Sequence, residues 1–97
     1  MIIGSVSENK EIEKRIAITP EIAKKYINLG FEVQLSLNYG KHLGFEEKEY
    51  NELGVKFIND DKKLIENADI IIQMSLLNEE KTSFLKSNQT FIGILNP

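Results

Sequence analysis

The residues whose types and spacing suit chemistry are few. Arg15 stands as a lone cation beside the apolar run Ile16-Ala17-Ile18, which leads through Thr19-Pro20 into a helix. A guanidinium so placed can clamp a carboxylate or a phosphate through two parallel N–H bonds. It can equally lock onto a neighbouring carboxylate as a structural salt bridge, and the residues alone leave both roles open. His42 is the single histidine. With no second histidine or convergent carboxylate beside it, it makes no metal site and reads as a solvent-exposed loop residue. Glu46, Glu47, Glu49 and Glu52 spread through one amphipathic helix, the pattern of a solvated face rather than of a paired acid and base. No catalytic and no metal-binding residue is expected.

Phosphate chemistry is equally poorly supplied. A dinucleotide turn needs Gly-x-Gly-x-x-Gly between a strand and a helix, so that backbone can approach the pyrophosphate at the helix N-terminus. Gly4 is isolated, and Gly40-Lys41-His42-Leu43-Gly44 lacks that spacing. As a phosphate loop the second segment also fails: Leu35 stands where the leading glycine belongs, and His42 replaces the magnesium-binding hydroxyl. The segment reads as an ordinary loop, and no cofactor-binding residue is expected in this chain.

Composition narrows the partners. The 97 residues, 41% hydrophobic and 28% charged with two prolines, suit one small globular domain. Net charge is −3, with lysines scattered among carboxylates, which argues against nucleic acid. Cysteine is absent, which mildly favours a reducing compartment. The longest apolar runs, Ile70 to Ile72 and Phe91 to Leu95, fall far short of the roughly 20 residues that span a bilayer, so no direct membrane insertion is expected. The N-terminus lacks the basic region and cleavage site of a signal peptide.

These side chains must be positioned by alternating strands and helices. Ile2 to Val6 reads as a strand, and Ser7 to Lys14 as a solvated loop. Thr19-Pro20-Glu21 combines a cap, a proline suited to the first helical position and a carboxylate at the positive helix end; Gly30 supplies the stop of a helix from Pro20 to about Leu29. Phe31 to Leu37 alternates as a strand with one wetter face. A turn-rich loop from Asn38 to Gly44 precedes a helix from Glu46 to Leu53, closed by Gly54, and a strand from Val55 to Ile58. Asn59 can cap a helix through Asn67, and Asp69 to Ile72 reads as a central strand covered on both faces. Asn78 caps a last short helix with Phe84 and Leu85 inward, before a strand from Thr90 to Leu95. This order predicts an α/β fold: a three-layer sandwich with a mostly parallel, doubly wound, Rossmann- or flavodoxin-like sheet that lacks the dinucleotide fingerprint. The last strand lacks a covering helix, so the polypeptide is expected to continue and residues 1–97 to be a fragment of one domain.

With Gly4, Glu8, Arg15, Ala17, Thr19-Pro20, Leu29-Gly30-Phe31-Glu32-Val33, Gly40, Phe45, Gly54 and Ala68-Asp69-Ile70-Ile71, the chain resembles the N-terminal domain shared by alanine dehydrogenases and transhydrogenase alpha subunits. Its most specific element, Arg15 to Pro20, is similar to the family's Arg-Val-Ala-x-[Ser/Thr]-Pro segment. The resemblance implies a separate, downstream NAD-binding domain, which accounts for the missing glycine fingerprint. In alanine dehydrogenases a lysine that binds the substrate carboxylate and a catalytic histidine occupy positions that match Ser75 and Asn96. Serine carries no positive charge and an asparagine amide shuttles no proton. These departures favour the transhydrogenase alpha subunit over an alanine-dehydrogenase-like oxidoreductase; a non-catalytic α/β interaction domain is a third alternative. The transhydrogenase reading implies NAD and NADP in the full complex and membrane and NADP-binding subunits as partners. It also implies a homodimer of the alpha subunit and a cytoplasmic location, peripheral on the inner face of the cell membrane.

Overall fold

The computed structural model describes residues 1–9, 13–75 and 77–94. Five parallel strands form one sheet in the order β3-β2-β1-β4-β5: β1 Ile2–Ser5, β2 Glu32–Ser36, β3 Lys56–Ile58, β4 Ile70–Gln73 and β5 Thr90–Gly93. Helices α1 Pro20–Asn28, α2 Glu47–Leu53, α3 Asp61–Asn67 and α4 Glu79–Thr82 lie in the connections, and Lys41–Leu43 forms a 3₁₀ turn. The sheet is wholly parallel.

Helix α1 starts and stops where its chemistry dictates. The Thr19 hydroxyl accepts the Ile22 N–H at 3.3 Å, Pro20 opens the helix, and Gly30 leaves it at φ 98°. Ala23 and its neighbours Ile22, Tyr26 and Ile27 pack on Ile3, Val33 and Leu35 on one face of the sheet. The other face carries α3, whose Leu64 and Ile65 are buried with Val6 and Ile71. Adjacent residues Ile71 and Ile72 fall into different cores, the signature of a strand covered on both sides. Burying each such side chain contributes about 1.5–3 kcal/mol. The close approach of α3 to β1 depends on Gly4: a Cβ there would lie 2.9 Å from the Leu64 Cδ2 and 3.0 Å from the Ala68 Cβ.

Several expectations need revision. The α3 cap is Asp60, not Asn59; its carboxylate accepts the Lys62 N–H at 2.9 Å. The supposed wetter face of β2 is not wet, since Gln34 and Ser36 are buried along with Val33 and Leu35. Helix α3 crosses over that face, so alternation there marks a second interior surface rather than solvent. Phe84 and Leu85 do turn inward, but from the turn that follows α4. Strand β5 ends at Gly93, and its Ile92 and the following Ile94 are 45% and 41% exposed. Leu95 lies outside the described residues.

Candidate functional site

In this strand order the connections leave β1 and β4 in opposite directions, so a crevice opens beyond the carboxyl ends of these two neighbours, where open α/β sheets take their ligands. A cleft of about 510 Å³ occupies that position, lined among others by Glu8, Glu13, Gln73, Ser75 and Lys81. Its floor is a hydrogen-bonded network that joins distant parts of the chain.

Backbone pairing between β1 and β4 covers Ile3 with Ile70 and Gly4 with Ile71. Beyond it the Gln73 side chain acts as a further rung. Its Oε1 accepts the Val6 N–H at 2.7 Å and its Nε2 donates to the Val6 carbonyl at 3.0 Å, as a paired strand residue would. The same oxygen accepts the Ser5 hydroxyl at 3.1 Å, and the second amide proton goes to Glu8 Oε2 at 2.8 Å. Gln73 is only 1% exposed, and these contacts use its whole hydrogen-bonding capacity.

Tyr39 completes the network from the other side. Its hydroxyl oxygen accepts the N–H groups of Ala17 at 3.1 Å and Ile18 at 3.2 Å. Ser5 spends its proton on Gln73, so Tyr39 is the donor in the 2.7 Å bond between the two hydroxyls. Burial pushes the Tyr39 phenol up to about 12, and the Ser5 bond opposes that rise. Tyr50 donates to the Ile18 carbonyl at 2.9 Å. Gly40 is pinned in the same place, with room for a Cβ only 3.0 Å from the Tyr50 hydroxyl, so the glycine serves packing and not a phosphate. The segment leading into α1 thereby hangs on two buried tyrosines.

Glu8 turns back from β1 to cover the end of β4. Besides Gln73, its carboxylate accepts the Met74 N–H at 2.8 Å and the Ser75 hydroxyl at 2.7 Å. All three donors are uncharged. Glu13, further along the same connection, is paired differently: Arg15 grips it through Nε at 3.0 Å and Nη2 at 2.7 Å, and the Arg15 backbone N–H adds a third bond. That grip holds the Glu13 carboxyl down at about 2 and raises the guanidinium further. Of the pair, it is Glu13 that lines the cleft. Lys81 is the one cation on the cleft wall among the described residues, and it is engaged with Asp61 at 3.2 Å.

The other singled-out residues lie apart from this floor. His42 is exposed, and its Nε2 donates to the Lys14 carbonyl at 2.7 Å, which ties the 3₁₀ turn to the Arg15 segment. Glu46, Glu49 and Glu52 are exposed, and Glu47 accepts the Asn38 N–H at 2.9 Å. Asn96 lies outside the described residues. Among the described residues no three potential metal ligands of the His, Cys, Asp or Glu type converge, and no helix is long and apolar enough to cross a membrane. Sequence reasoning missed Glu8, Gln73 and Tyr39 as builders of the crevice. The one local signal was a glutamine closing a triple-isoleucine strand, a polar residue where burial was expected.

The residues at the crevice do not fit a dinucleotide pyrophosphate. Such a group needs a glycine turn that delivers backbone N–H groups from β1 straight into a helix. Here β1 is followed by the extended connection from Val6 to Thr19, and the position is filled by the Glu8 carboxylate.

Fold and crevice together define a doubly wound α/β domain whose switch point is built without a dinucleotide fingerprint. The profile of the family described as alanine dehydrogenase/PNT, N-terminal domain, matches residues 4–97, and the chain belongs to that family. It is 33% identical over its whole length to an NAD(P) transhydrogenase alpha subunit of Rickettsia prowazekii, covering 26% of that protein. It is 30% identical over 99% of its length to alanine dehydrogenase 1 of Staphylococcus aureus, covering 25% of it. Among solved structures, transhydrogenase from Sinorhizobium meliloti matches 98% of the chain with a TM-score of 0.88 at 24% identity, over 28% of that chain. An L-alanine dehydrogenase matches 94% of the chain with a TM-score of 0.85 at 19% identity, over 25% of that chain. The chain thus spans about a quarter of the length of these relatives, and its relatives are oxidoreductases.

Proposed function

We propose that these residues are the N-terminal segment of the NAD(H)-binding alpha subunit of a proton-translocating NAD(P) transhydrogenase. In this reading they scaffold hydride transfer between NAD(H) and NADP(H), while a downstream domain of the same subunit holds NAD. The observation that carries the choice is the Ser75 hydroxyl held by Glu8 at 2.7 Å, where a carboxylate substrate would require a cation. The cleft's lining cation among the described residues, Lys81, is already paired. A transhydrogenase needs no small carboxylate substrate, because the cofactors carry the chemistry and the protein positions their rings. Arg15 then serves as a structural clamp on Glu13, which its two-point grip supports. Proton translocation belongs to membrane subunits, with which an alpha-subunit homodimer associates at the inner face of the cell membrane.

The second reading is an alanine-dehydrogenase-like enzyme, favoured by the 30% identity to alanine dehydrogenase 1 and by the shared fold. NADPH-dependent reduction of an NAD analogue by the intact protein, without alanine or pyruvate, supports the first reading. Alanine-dependent formation of NADH in its place reverses the ranking.

A further inference from the structure

The crevice has a charge balance that bears on what it admits. Glu13 is neutralised by Arg15, and Lys81 by Asp61. Lys10 and Glu11, outside the described residues, add no net charge between them. Glu8 is left as a negative charge with only neutral donors around it: the Gln73 amide, the Met74 N–H and the Ser75 hydroxyl. It has no freedom to swing aside, because Gln73 is itself fixed by Val6 and Ser5. Oε2 accepts two of the bonds and Oε1 one, so Oε1 keeps an acceptor position on a carboxylate that lines the cleft.

We propose that Glu8, held by Gln73, Met74 and Ser75, is a specificity-determining residue that closes the switch-point crevice to anions. Small carboxylates are refused, and an uncharged group with N–H donors, such as a carboxamide, is accepted at Oε1. The proposal rests on the transhydrogenase reading and extends it: an enzyme that passes hydride between two nicotinamides gains from refusing keto and amino acids that compete for it. A second carboxylate about 5 Å from Glu8, at an effective dielectric of about 20–40, is repelled strongly enough to lower affinity by about tenfold to a few hundredfold. Loss of the hydrogen bond that an amide donates adds to the difference.

Lactate and lactamide have the same shape and differ in charge, so they are suitable probes for calorimetric or NMR titration of the intact protein. The wild type is expected to favour lactamide. Glu8→Gln, which keeps the side-chain shape, should gain about tenfold or more in lactate affinity and lose the preference for the amide. Ser75→Lys, which sets a cation beside the carboxylate, should also gain lactate affinity, and it serves as the independent variant if Glu8→Gln folds poorly. Wild-type protein that binds lactate as tightly as lactamide overturns the proposal. So does an unchanged lactate affinity in the folded variants. The titration reads no hydride transfer, so a failed transhydrogenase assay with a confirmed lactate gain, or the reverse, tells the two readings apart.

Discussion

Replacing Gln73 by methionine, a side chain of similar length without amide polarity, removes the rung that continues the sheet between β1 and β4. The native amide makes four bonds: two with the Val6 backbone, one with Ser5 and one with Glu8. Val6 is 1% exposed, so its N–H and carbonyl lose their partners inside the protein. The Ser5 proton loses its acceptor as well, whereas Glu8 keeps the Met74 N–H and the Ser75 hydroxyl. Each buried group left without a partner costs about 1–3 kcal/mol. With partial relief from water entering the cleft, the expected loss is about 3–5 kcal/mol. That is a large share of the roughly 5–15 kcal/mol that stabilises a typical domain. Urea denaturation followed by far-UV circular dichroism should show the midpoint fall with the slope unchanged. A loss below about 1 kcal/mol would mean that the rung is not what holds the strand ends together.

Other substitutions probe the surrounding supports. Tyr39→Phe strips the acceptor from the Ala17 and Ile18 N–H groups and should cost about 2–4 kcal/mol in the same denaturation experiment. In the wild type the Tyr39 phenol ionises at about 12, so the stability due to keeping it protonated is present below pH 10 and is lost as pH rises through 10 to 12. Alkaline titration of phenolate absorbance, compared between wild type and Tyr39→Phe, should show this step removed; ionisation near pH 10 would contradict its burial. Gly4→Val drives a branched side chain into Leu64 and Ala68, and thermal unfolding should report about 1–3 kcal/mol of destabilisation or more. Glu13 is held at about 2 by Arg15, so the stability it contributes is present above pH 4.5 and fades as pH falls towards 2. Carboxyl carbon NMR should locate that midpoint, and Arg15→Ala should return it to the ordinary carboxylate range.

Much of the frame was legible because its determinants are local. The Thr19 cap, Pro20 and Gly30 delimit α1 through contacts within a few residues, and strand-helix alternation led directly to the parallel sheet. The crevice was not legible, because its bonds bridge remote positions: Glu8 and Val6 meet Gln73, and Tyr39 meets Ser5. Read locally, Ser7 to Lys14 is a polar stretch suited to solvent. Only the adjacency of β1 and β4 turns Glu8 inward. The same blindness to neighbours made Gln34 and Ser36 look wet, since nothing local reveals that α3 covers them.

Arg15 shows the middle case. Both of its possible roles followed from residue type, and the choice between them depended on which carboxylate lay within reach. Glu13, two residues away, meets the guanidinium with both carboxylate oxygens.

The most direct test follows a deuterium label through the intact protein, supplied together with NADPH deuterated at the transferred position, NAD, pyruvate and ammonium. Mass spectrometry of the products is predicted to find deuterium in NADH and none at the α-carbon of alanine. Deuterium on alanine would show that the crevice admits and reduces a carboxylate substrate, and would contradict the account.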